Sequence, residues 1–464
     1  MCGGMPFRAG RPMFEASPAR RVPKAHAIRD VPLAWSETLL VVAAAFLYWN
    51  DLLRQIFPGV DNASIEFRLT HFVFYGAFLV ALMQMPGLVG QTLRKVPLLV
   101  SVLALPMVSA LWSISPGDTF QRSIAVTGSS LFGVYLACRV RPLEAFRLIG
   151  VAATVSAILS VVLIALVPSV GLMSEGEYVN VWSGAHLHKN GLGQMTALGA
   201  IICLVVMMTD GVRRTPLLAL GLVLNLLLLA GSRSLTSQVV FVTGVGLLFT
   251  MGRFVRFIAD YALITVPLAM IGLSFILFGL SADTLGDLLA SAGKDATMSS
   301  RVPLWNLLGG FMEGHWWLGH GYEVFWSDAS YAVRVIEGKL HFRPYYSHNG
   351  YLEIWLAFGF VGLAMIAGLI ATLAVRTLRG LYHDARDPLL LLSFVYTLMF
   401  LLQNTAEATI LQRNNMSWTL CVMLYIAVVR AVARDRRQVG VTAATKRLQV
   451  AKDGEPLRPR LPVL

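Results

Sequence analysis

A histidine lies directly before a long apolar stretch of the chain. The segment YYSHNGYLEIWLAFGFVGL, residues 345–363, places His348 and Asn349 ahead of a run that contains one acidic residue, Glu353. If a helix begins near Gly350, its N-terminal end disfavours a positively charged imidazole, so His348 is neutral and can accept a proton. A capping or interfacial histidine without chemistry explains this position equally well. For Glu353, an inward-facing structural carboxylate is favoured over a catalytic one.

Two arginines adjoin apolar segments, where a guanidinium needs an anionic partner. Arg233, in LLAGSRSLTSQ, separates two apolar runs with a very short turn, and Ser232 and Ser234 add hydroxyl groups suited to phosphate oxygens. Arg301 stands one helical turn before Trp305. Both arginines are therefore candidates for binding an anion. The alternative for each is a charge that reaches lipid headgroups or solvent.

The segment HLHKNGLGQ, residues 186–194, carries a second polar cluster. His186 and His188 are two residues apart, but no HExxH motif or acidic pair supplies further metal ligands, so we predict no metal site. Lys189 and Asn190 are followed by two glycines. This pattern predicts a tight turn back into the membrane that leaves polar groups facing a cavity.

The rest of the chain offers little other chemistry. Arg122 follows Asp118 by four residues, a spacing that predicts an intrahelical salt bridge. Arg343 lies close in sequence to His348 without an assigned role. The sequence contains no Walker A loop, no GxSxG elbow and no outer acidic pair to hold a divalent cation with a sugar nucleotide.

The composition of the chain indicates the environment of these residues. Of the 464 residues, 56% are hydrophobic and 14% are charged, and the mean hydropathy is +0.65. These values are typical of a polytopic membrane protein. The net charge of +12 is spread in small groups between apolar runs rather than along a basic stripe with aromatic residues, which argues against nucleic acid as a partner. The four cysteines have no CxxC spacing and predict neither disulfides nor zinc.

Apolar windows of about 20 residues predict an all-α membrane protein with about twelve transmembrane helices. The predicted spans are 32–50, 67–86, 96–113, 119–138, 143–168, 191–209, 215–231, 234–251, 257–280, 350–375, 387–404 and 415–433. The chain then divides into a basic tail (1–31), helices one to nine (32–280), a long loop (281–349), helices ten to twelve (350–433) and a second basic tail (434–464).

The distribution of basic residues predicts the orientation of these spans. Alternate connections are rich in arginine and lysine and fall on the same side as both tails, which the positive-inside rule assigns to the cytoplasm. Eleven basic residues remain for the periplasmic side: Arg54, Arg68, Arg122, Lys189, Arg233, Lys294, Arg301, Arg334, Lys339, Arg343 and Arg413. His348 is predicted on that side as well. The candidate residues thus share one face of the membrane.

The loop 281–349 is too long for a simple turn and predicts an ordered, functional segment. In SSRVPLWNLLGGFMEGHWWLGHGYEVF, residues 299–325, apolar residues recur at helical spacing from Trp305 to Trp316. We expect an amphipathic helix in the outer interface, with Trp316 and Trp317 at the depth of the lipid headgroups.

Taken together, these motifs resemble the O-antigen ligase and O-antigen polymerase superfamily, including exopolysaccharide polymerases. The resemblance rests on WSISP, HKNGLG, GSRS and a long loop with SSRVPLW, GHGYEVF and SHNGYLEIWLAFGFVGL, which occur in this order between residues 30 and 430. Each motif is short, and their order carries the specificity. The form HKNGLG is closer to the exopolysaccharide branch.

The resemblance implies a metal-independent glycosyltransferase in the bacterial inner membrane that needs no cofactor. Its donor would be a glycan on a polyprenyl diphosphate such as undecaprenyl diphosphate, and its acceptor a saccharide, either lipid A core or a carrier-linked repeat unit. Polysaccharide assembly proteins are further possible partners. Arg233 and Arg301 match the two diphosphate-binding arginines of the family, and His348 matches its histidine.

Charge considerations agree with these roles. The diphosphate is the leaving group, so negative charge grows on it in the transition state, where two guanidinium groups stabilise it. His348 would take the proton of the attacking hydroxyl, a contribution of about 10²- to 10⁴-fold. Possible accessory residues are His188, Lys189, Asn190, Asn349, Glu353 and Arg122. Glu407 lies near Arg413 and either pairs with it or contacts glycan. The alternatives are a flippase-like transporter and a non-catalytic partner in polysaccharide assembly.

Overall fold

The computed structural model describes residues 32–56, 65–174, 178–250 and 301–433. Within these ranges the chain is helical apart from turns, loops and one isolated antiparallel bridge between Leu172 and Trp182. This confirms the all-α prediction for the described residues. Both predicted tails, the predicted ninth span and residues 281–300 of the long loop lie outside them.

The helices follow one another in the order of the predicted apolar segments. In chain order they are α1 Trp35–Trp49, α2 Leu52–Ile56, α3 Ile65–Met83, α4 Pro86–Leu93, α5 Pro97–Val108, α6 Pro116–Arg139, α7 Pro142–Leu166, α8 Pro168–Gly171, α9 Lys189–Asp210, α10 Pro216–Gly231, α11 Leu235–Thr250, α12 Arg301–Leu308, α13 Tyr331–Leu340, α14 Gly350–His383, α15 Pro388–Gln403 and α16 Met416–Ala433.

Five of the described helices, α3, α7, α9, α14 and α16, are long and apolar enough to cross a membrane. Helix α4 and the apolar helix that follows it form a sixth candidate, bent by 95°. Four others, α1, α10, α11 and α15, are apolar but shorter. The 16 residues of α10 reach about 24 Å, less than the roughly 30 Å of the hydrocarbon core. The protein is a multi-pass membrane protein, but the predicted number of twelve spans is not confirmed.

Proline defines where many of these helices begin. Its fixed φ and missing N–H suit the first helical position, where the N–H has no partner within the helix. This position is proline in α4, α5, α6, α7, α10 and α15. Most of these helices therefore begin within a few residues of the predicted span boundaries.

The centre of the bundle is formed by α9 and α16. In their most apolar windows 78% and 83% of the residues are buried, whereas the value for α3 is 22%. Helix α9 packs closely against α7 and α10 because Gly199 faces Ala153 and Asn225 without a side chain between the backbones. The N-terminal end of α9 thus has a fixed position, which matters for the site below.

Helix α14 is broken at Gly359, which has φ 60° and ψ −155°. A Cβ atom here would lie 2.2 Å from the carbonyl carbon of Trp317, so only glycine fits. The carbonyl groups of Leu356 and Ala357 accept from the backbone N–H groups of His320 and Gly321, at 2.8 and 3.0 Å. The N–H groups of residues 360 and 361 donate to the carbonyl groups of residues 316 and 317, at 2.8 and 3.2 Å. The outer loop therefore satisfies the backbone groups that the break exposes.

The predicted amphipathic helix of the outer loop is shorter than expected. Helix α12 ends at Leu308 and continues as a 3₁₀ turn through Met312, after which the chain folds back through turns. The apolar side chains of Leu304, Leu308 and Met312 are buried in a small cluster of their own. The helix does not extend to Trp316 as predicted, because the backbone of residues 316–321 bonds to α14 instead.

Candidate active site

The loop that carries His348 is held against α14 by a helix cap. Helix α14 begins at Gly350, and the Asn349 side chain accepts hydrogen bonds from the N–H groups of Tyr351 and Leu352 at 2.9 and 3.2 Å. His348 has φ 55°, so the chain reverses directly before the cap. The Gly350 N–H donates to the carbonyl groups of Asn404 at 2.8 Å and Glu407 at 3.1 Å. The start of α14 is thereby joined to the connection between α15 and α16.

Glu407, in that connection, lies at the centre of a polar cluster. Its Oε1 accepts a hydrogen bond from Asn190 Nδ2 at 2.9 Å and lies 3.5 Å from Arg301 Nη2. Its Oε2 accepts from the Tyr346 hydroxyl at 3.3 Å and lies 3.9 Å from His348 Nδ1. Burial raises the pKa of the Glu407 carboxyl, but the nearby His348, Arg301 and His188 lower it below its ordinary value. Glu407 is therefore a carboxylate near neutral pH.

His348 combines a buried nitrogen with a partly open ring. Its side chain is 32% exposed, whereas Nδ1 is buried and has no hydrogen-bond partner in the described part of the chain. The ring packs on Tyr346, with 4.0 Å between centroids. An imidazole held in this way presents one side to the protein and the other toward solvent. Nε2 is thus the nitrogen available for proton transfer.

Glu353 holds the histidine loop from inside. Its carboxylate accepts from the Ser347 N–H and from Trp326 Nε1, the latter at 3.0 Å from both oxygens. These contacts fix the residue directly before His348. Among the described residues, Glu353 bonds to Ser347 and Trp326 and has no contact with the imidazole. Glu353 therefore stabilises the loop that carries His348.

Arg301, the first residue of α12, faces the same cluster. Nη1 donates to the Ala406 carbonyl group at 2.9 Å, beside the Glu407 contact, and the side chain is 13% exposed. Trp305, one turn later, donates from Nε1 to the Ser347 carbonyl group at 2.8 Å. Helix α12 therefore places an arginine and supports the histidine loop at once.

The start of α9 adds the motif HKN to this cluster. His188 caps the helix, since its Nδ1 accepts from the Asn190 N–H at 3.2 Å. Burial lowers the pKa of His188, with Glu407 opposing and Lys189 reinforcing the effect. Lys189 Nζ lies over the Tyr178 ring, 4.2 Å from its centroid. The structure thus brings His188, Lys189 and Asn190 to the cluster edge, with Asn190 in direct contact.

Arg233 lies in a neighbouring turn. The residue is exposed with φ 49°, and no ion pair or hydrogen bond of its side chain is found within the described ranges. Its turn packs on α9, because a Cβ on Gly193 would lie 2.8 Å from the Ser234 Cβ. The flanking hydroxyl groups are buried: Ser232 donates to the Leu229 carbonyl group, and Ser234 bonds to Ser237. The serines therefore shape the turn rather than offer free hydroxyl groups to phosphate.

Arg122 does not form the predicted salt bridge. Its Nη1 donates to the Glu323 carbonyl group, while Asp118 accepts from the Ser115 hydroxyl at 2.8 Å. The prediction is wrong because Asp118 bonds to the Ser115 side chain at the helix start, and the outer loop offers Arg122 a carbonyl acceptor. Arg413 pairs with the Glu323 carboxylate at 2.8 Å. Arg122 and Arg413 thus hold Glu323 of the outer loop, and neither contacts Glu407 within the described ranges.

Sequence reasoning left the role of Glu407 open and missed Tyr346. The sequence allowed pairing of Glu407 with Arg413, but Arg413 pairs with Glu323 and Glu407 faces the candidate residues. The available signal was its isolation, since Glu407 is the sole acidic residue of the connection 404–415. A lone carboxylate beside predicted periplasmic arginines needs a cationic partner.

The first histidine of HLHK, His186, lies outside this cluster. His186 is 3% exposed and its Nδ1 lies 3.9 Å from Asp51, whereas His188 faces the Glu407 cluster. Burial lowers the pKa of His186 to about 4. In the described residues no group of three or more histidine, cysteine or acidic side chains is arranged to hold a metal ion.

Comparison with protein families bears directly on this region. Residues 218–367 match the family model described as O-antigen ligase. This region is an O-antigen ligase domain. The resemblance drawn from sequence motifs is thereby confirmed. A search of curated proteins finds no match to the chain.

The O-antigen ligase domain runs from α10 to the middle of α14 and contains Arg233, Arg301 and His348. Asn190 and Glu407 lie outside the matched range but complete the cluster through side-chain contacts. The match supports a membrane enzyme of the O-antigen ligase and polymerase type. Its cluster combines cations for an anionic group with an imidazole that can accept a proton.

Proposed function

We propose that the protein transfers a glycan from a polyprenyl diphosphate carrier to a hydroxyl group of an acceptor saccharide, at the periplasmic face of the bacterial inner membrane. The observation that carries this proposal is the cluster of Arg301, His348 and Glu407 at the ends of membrane helices, within and beside an O-antigen ligase domain. The predicted charge asymmetry supports the periplasmic side. The motif HKNGLG favours polymerisation of an exopolysaccharide over transfer to lipid A core.

The two arginines would bind the diphosphate. Arg301 is already turned into the cluster, and Arg233 stands exposed on a turn that packs against the same end of α9. As the anomeric C–O bond breaks, its electron pair leaves with the diphosphate. Guanidinium groups that bind two phosphate oxygens at once stabilise this growing charge most in the transition state. Such positioned cations would do the work that a metal ion does elsewhere.

His348 would act as the base. The acceptor O–H gives its proton to Nε2 of the imidazole while its oxygen forms the new bond to the anomeric carbon. In-line attack of this kind inverts the anomeric centre. Nδ1, on the buried side of the ring, faces Glu407. A carboxylate there stabilises the imidazolium that forms.

The site fits a donor that is attached to a lipid. The loop that carries His348 directly precedes α14, and the helix itself is mostly apolar. The exposed side chains of Trp316, Trp317 and Phe360 surround the break in this helix. Aromatic residues of this kind are typical of the membrane interface. The imidazole would therefore act at the depth where a carrier diphosphate lies.

A flippase-like transporter is less well supported. Transporters place their sites at broken helices near the bilayer midplane. The break in α14 lies nine residues from its outer end, and loop backbone closes it. The polar cluster sits at helix ends instead, as expected for chemistry at a surface.

The test compares the length and attachment of the surface glycan in a deletion strain that is complemented either with the wild-type protein or with His348→Asn. Asparagine is preferred to alanine because position 348 has φ 55°, which asparagine tolerates. His341→Asn is the matched control, since His341 has φ 57° and lies in the same loop. Equal amounts of each protein in the membrane must be confirmed first.

Each outcome has a distinct meaning. Loss of long polymer with a short carrier-linked repeat left behind supports a polymerase, and accumulation of unattached long chains supports a ligase. Full activity of His348→Asn contradicts the proposed role of the imidazole and returns the transporter or a non-catalytic assembly partner as the better account.

A further inference from the structure

The Glu407 carboxylate stands between the candidate diphosphate arginine and the candidate base. One oxygen faces Arg301 and Asn190, and the other faces His348 and Tyr346. The contacts of the two oxygens differ in length. Asn190 donates at 2.9 Å and Arg301 lies at 3.5 Å, whereas His348 Nδ1 is at 3.9 Å.

The distance to His348 is too long for a hydrogen bond. Nδ1 is nevertheless buried and without another partner among the described residues. Leaving a buried ring nitrogen unpaired is unfavourable. A movement of the carboxylate by about 1 Å would bring the pair within hydrogen-bond distance. The geometry therefore allows a second arrangement, in which the Glu407 carboxylate bonds to His348 instead of facing Arg301.

We propose that Glu407 is a positioning residue that couples donor binding to activation of His348. This inference rests on the proposed function. When the diphosphate binds Arg301, it supplies the negative charge that Glu407 supplied, and it repels the carboxylate. Glu407 then moves to accept a hydrogen bond from Nδ1–H of His348.

The consequence for the base is specific. A hydrogen bond from Nδ1–H fixes the tautomer in which Nε2 carries the free electron pair. The carboxylate also favours the imidazolium that forms when Nε2 takes the proton. The imidazole would thus become an effective base only when the donor is in place. The other charged or titratable groups around this pair are His188, Lys189, Asp51 and Tyr346.

The first test separates binding from turnover. Because Glu407 neutralises Arg301 in the free protein, Glu407→Gln should bind farnesyl diphosphate more tightly, by about fivefold or more, while kcat for transfer falls. Asp328→Asn is the matched control, since it removes an exposed carboxylate from its pair with Arg343 in the same outer loop. The control should change neither quantity. A merely structural role of Glu407 would weaken binding and turnover together.

Binding is measured by isothermal titration of the detergent-purified full chain with farnesyl diphosphate. Turnover is measured with lipid-linked saccharide extracted from a strain that lacks this protein. Glu407→Asp keeps the charge and should bring farnesyl diphosphate affinity back toward the wild-type value. Unchanged or weaker binding by Glu407→Gln overturns the coupling.

The second test measures kcat and kcat/KM of the wild-type protein as functions of pH, so its main result does not depend on the folding of a variant. The acidic limb of kcat/KM reports the free protein, and that of kcat reports the donor complex. Movement of a carboxylate toward His348 in the complex places the limb of kcat at higher pH. Coincident limbs overturn the proposal, and Glu407→Gln should narrow the separation.

Loss of the coupling and loss of the proposed function give different experimental results. If His348→Asn is inactive while Glu407→Gln shows wild-type affinity and pH limbs, the coupling is wrong and the proposed function stands. If His348→Asn is fully active, the proposed function itself is wrong.

Discussion

Replacing Arg301 by glutamine or by lysine separates two things that this residue does. Its guanidinium lies 3.5 Å from the Glu407 carboxylate, and the two side chains are 13% and 11% exposed. Glutamine removes the charge and leaves Glu407 without its closest cation. Lysine keeps the charge but loses the planar fork that bonds to the Ala406 carbonyl group and would hold two phosphate oxygens.

The distance and burial set the magnitude. Two charges 3.5 Å apart attract by about 5 kcal/mol at an effective dielectric constant of about 20. Asn190 and Tyr346 still bond to Glu407 in the variant, so the loss of stability should be smaller, about 3 kcal/mol. The loss of transition-state stabilisation should lower kcat by about 10²- to 10³-fold.

The loss of stability is measured by thermal unfolding of the detergent-purified protein. The loss of activity is measured by transfer from extracted lipid-linked saccharide. We expect Arg301→Gln to be less stable and nearly inactive. Arg301→Lys should unfold at close to the wild-type temperature yet lose at least about tenfold in activity, because a point charge replaces a bidentate one. Wild-type activity in a stable Arg301→Lys protein would refute the assignment of this arginine to the diphosphate.

Three further predictions concern the same region. Asn349→Ala removes the cap of α14 and should cost about 1 kcal/mol of stability, measured by thermal unfolding; an unchanged midpoint would contradict the capping role. Gly359→Ala should destabilise the protein more strongly, because a Cβ would meet the Trp317 carbonyl carbon at 2.2 Å, and a stable variant would mean that the break can close. Since the pKa of Glu407 is lowered from 4.5, its stabilising charge is complete above pH 4.5 and is lost as pH falls through the lowered value; the difference in unfolding temperature between wild type and Glu407→Gln should shrink over that range, and a constant difference would argue against it.

Apolar runs made the helical fold predictable, because a helix in a bilayer needs little more than length and hydrophobicity. The start of α14 at Gly350 was predictable for the same reason, and with it the position of His348. Short helices such as α10 explain why counting spans was less successful, since an apolar run does not reveal whether its helix reaches across the membrane.

The centre of the site could not be predicted, because its contacts are distant in sequence. Asn190 and Glu407 are 217 residues apart, and Arg301 and Ala406 are 105 residues apart. From the sequence, Glu407 could pair with Arg413 or contact glycan, and only the packing of the connection 404–415 shows that it faces Arg301. The break at Gly359 was equally hidden, since glycine is common in membrane helices and its φ depends on the loop that bonds to it.

The bonds that close the break in α14 join backbone to backbone. The path of residues 316–321 along the helix is therefore set by backbone hydrogen bonds and by Gly319, Gly321 and Gly359, where a Cβ atom would clash. Selection can change Trp316 and Trp317 to suit a different lipid or a different saccharide without moving the loop. This backbone joint between the outer loop and the membrane helix thus leaves positions 316 and 317 free to diverge, and related proteins could keep the same joint with little recognisable similarity there.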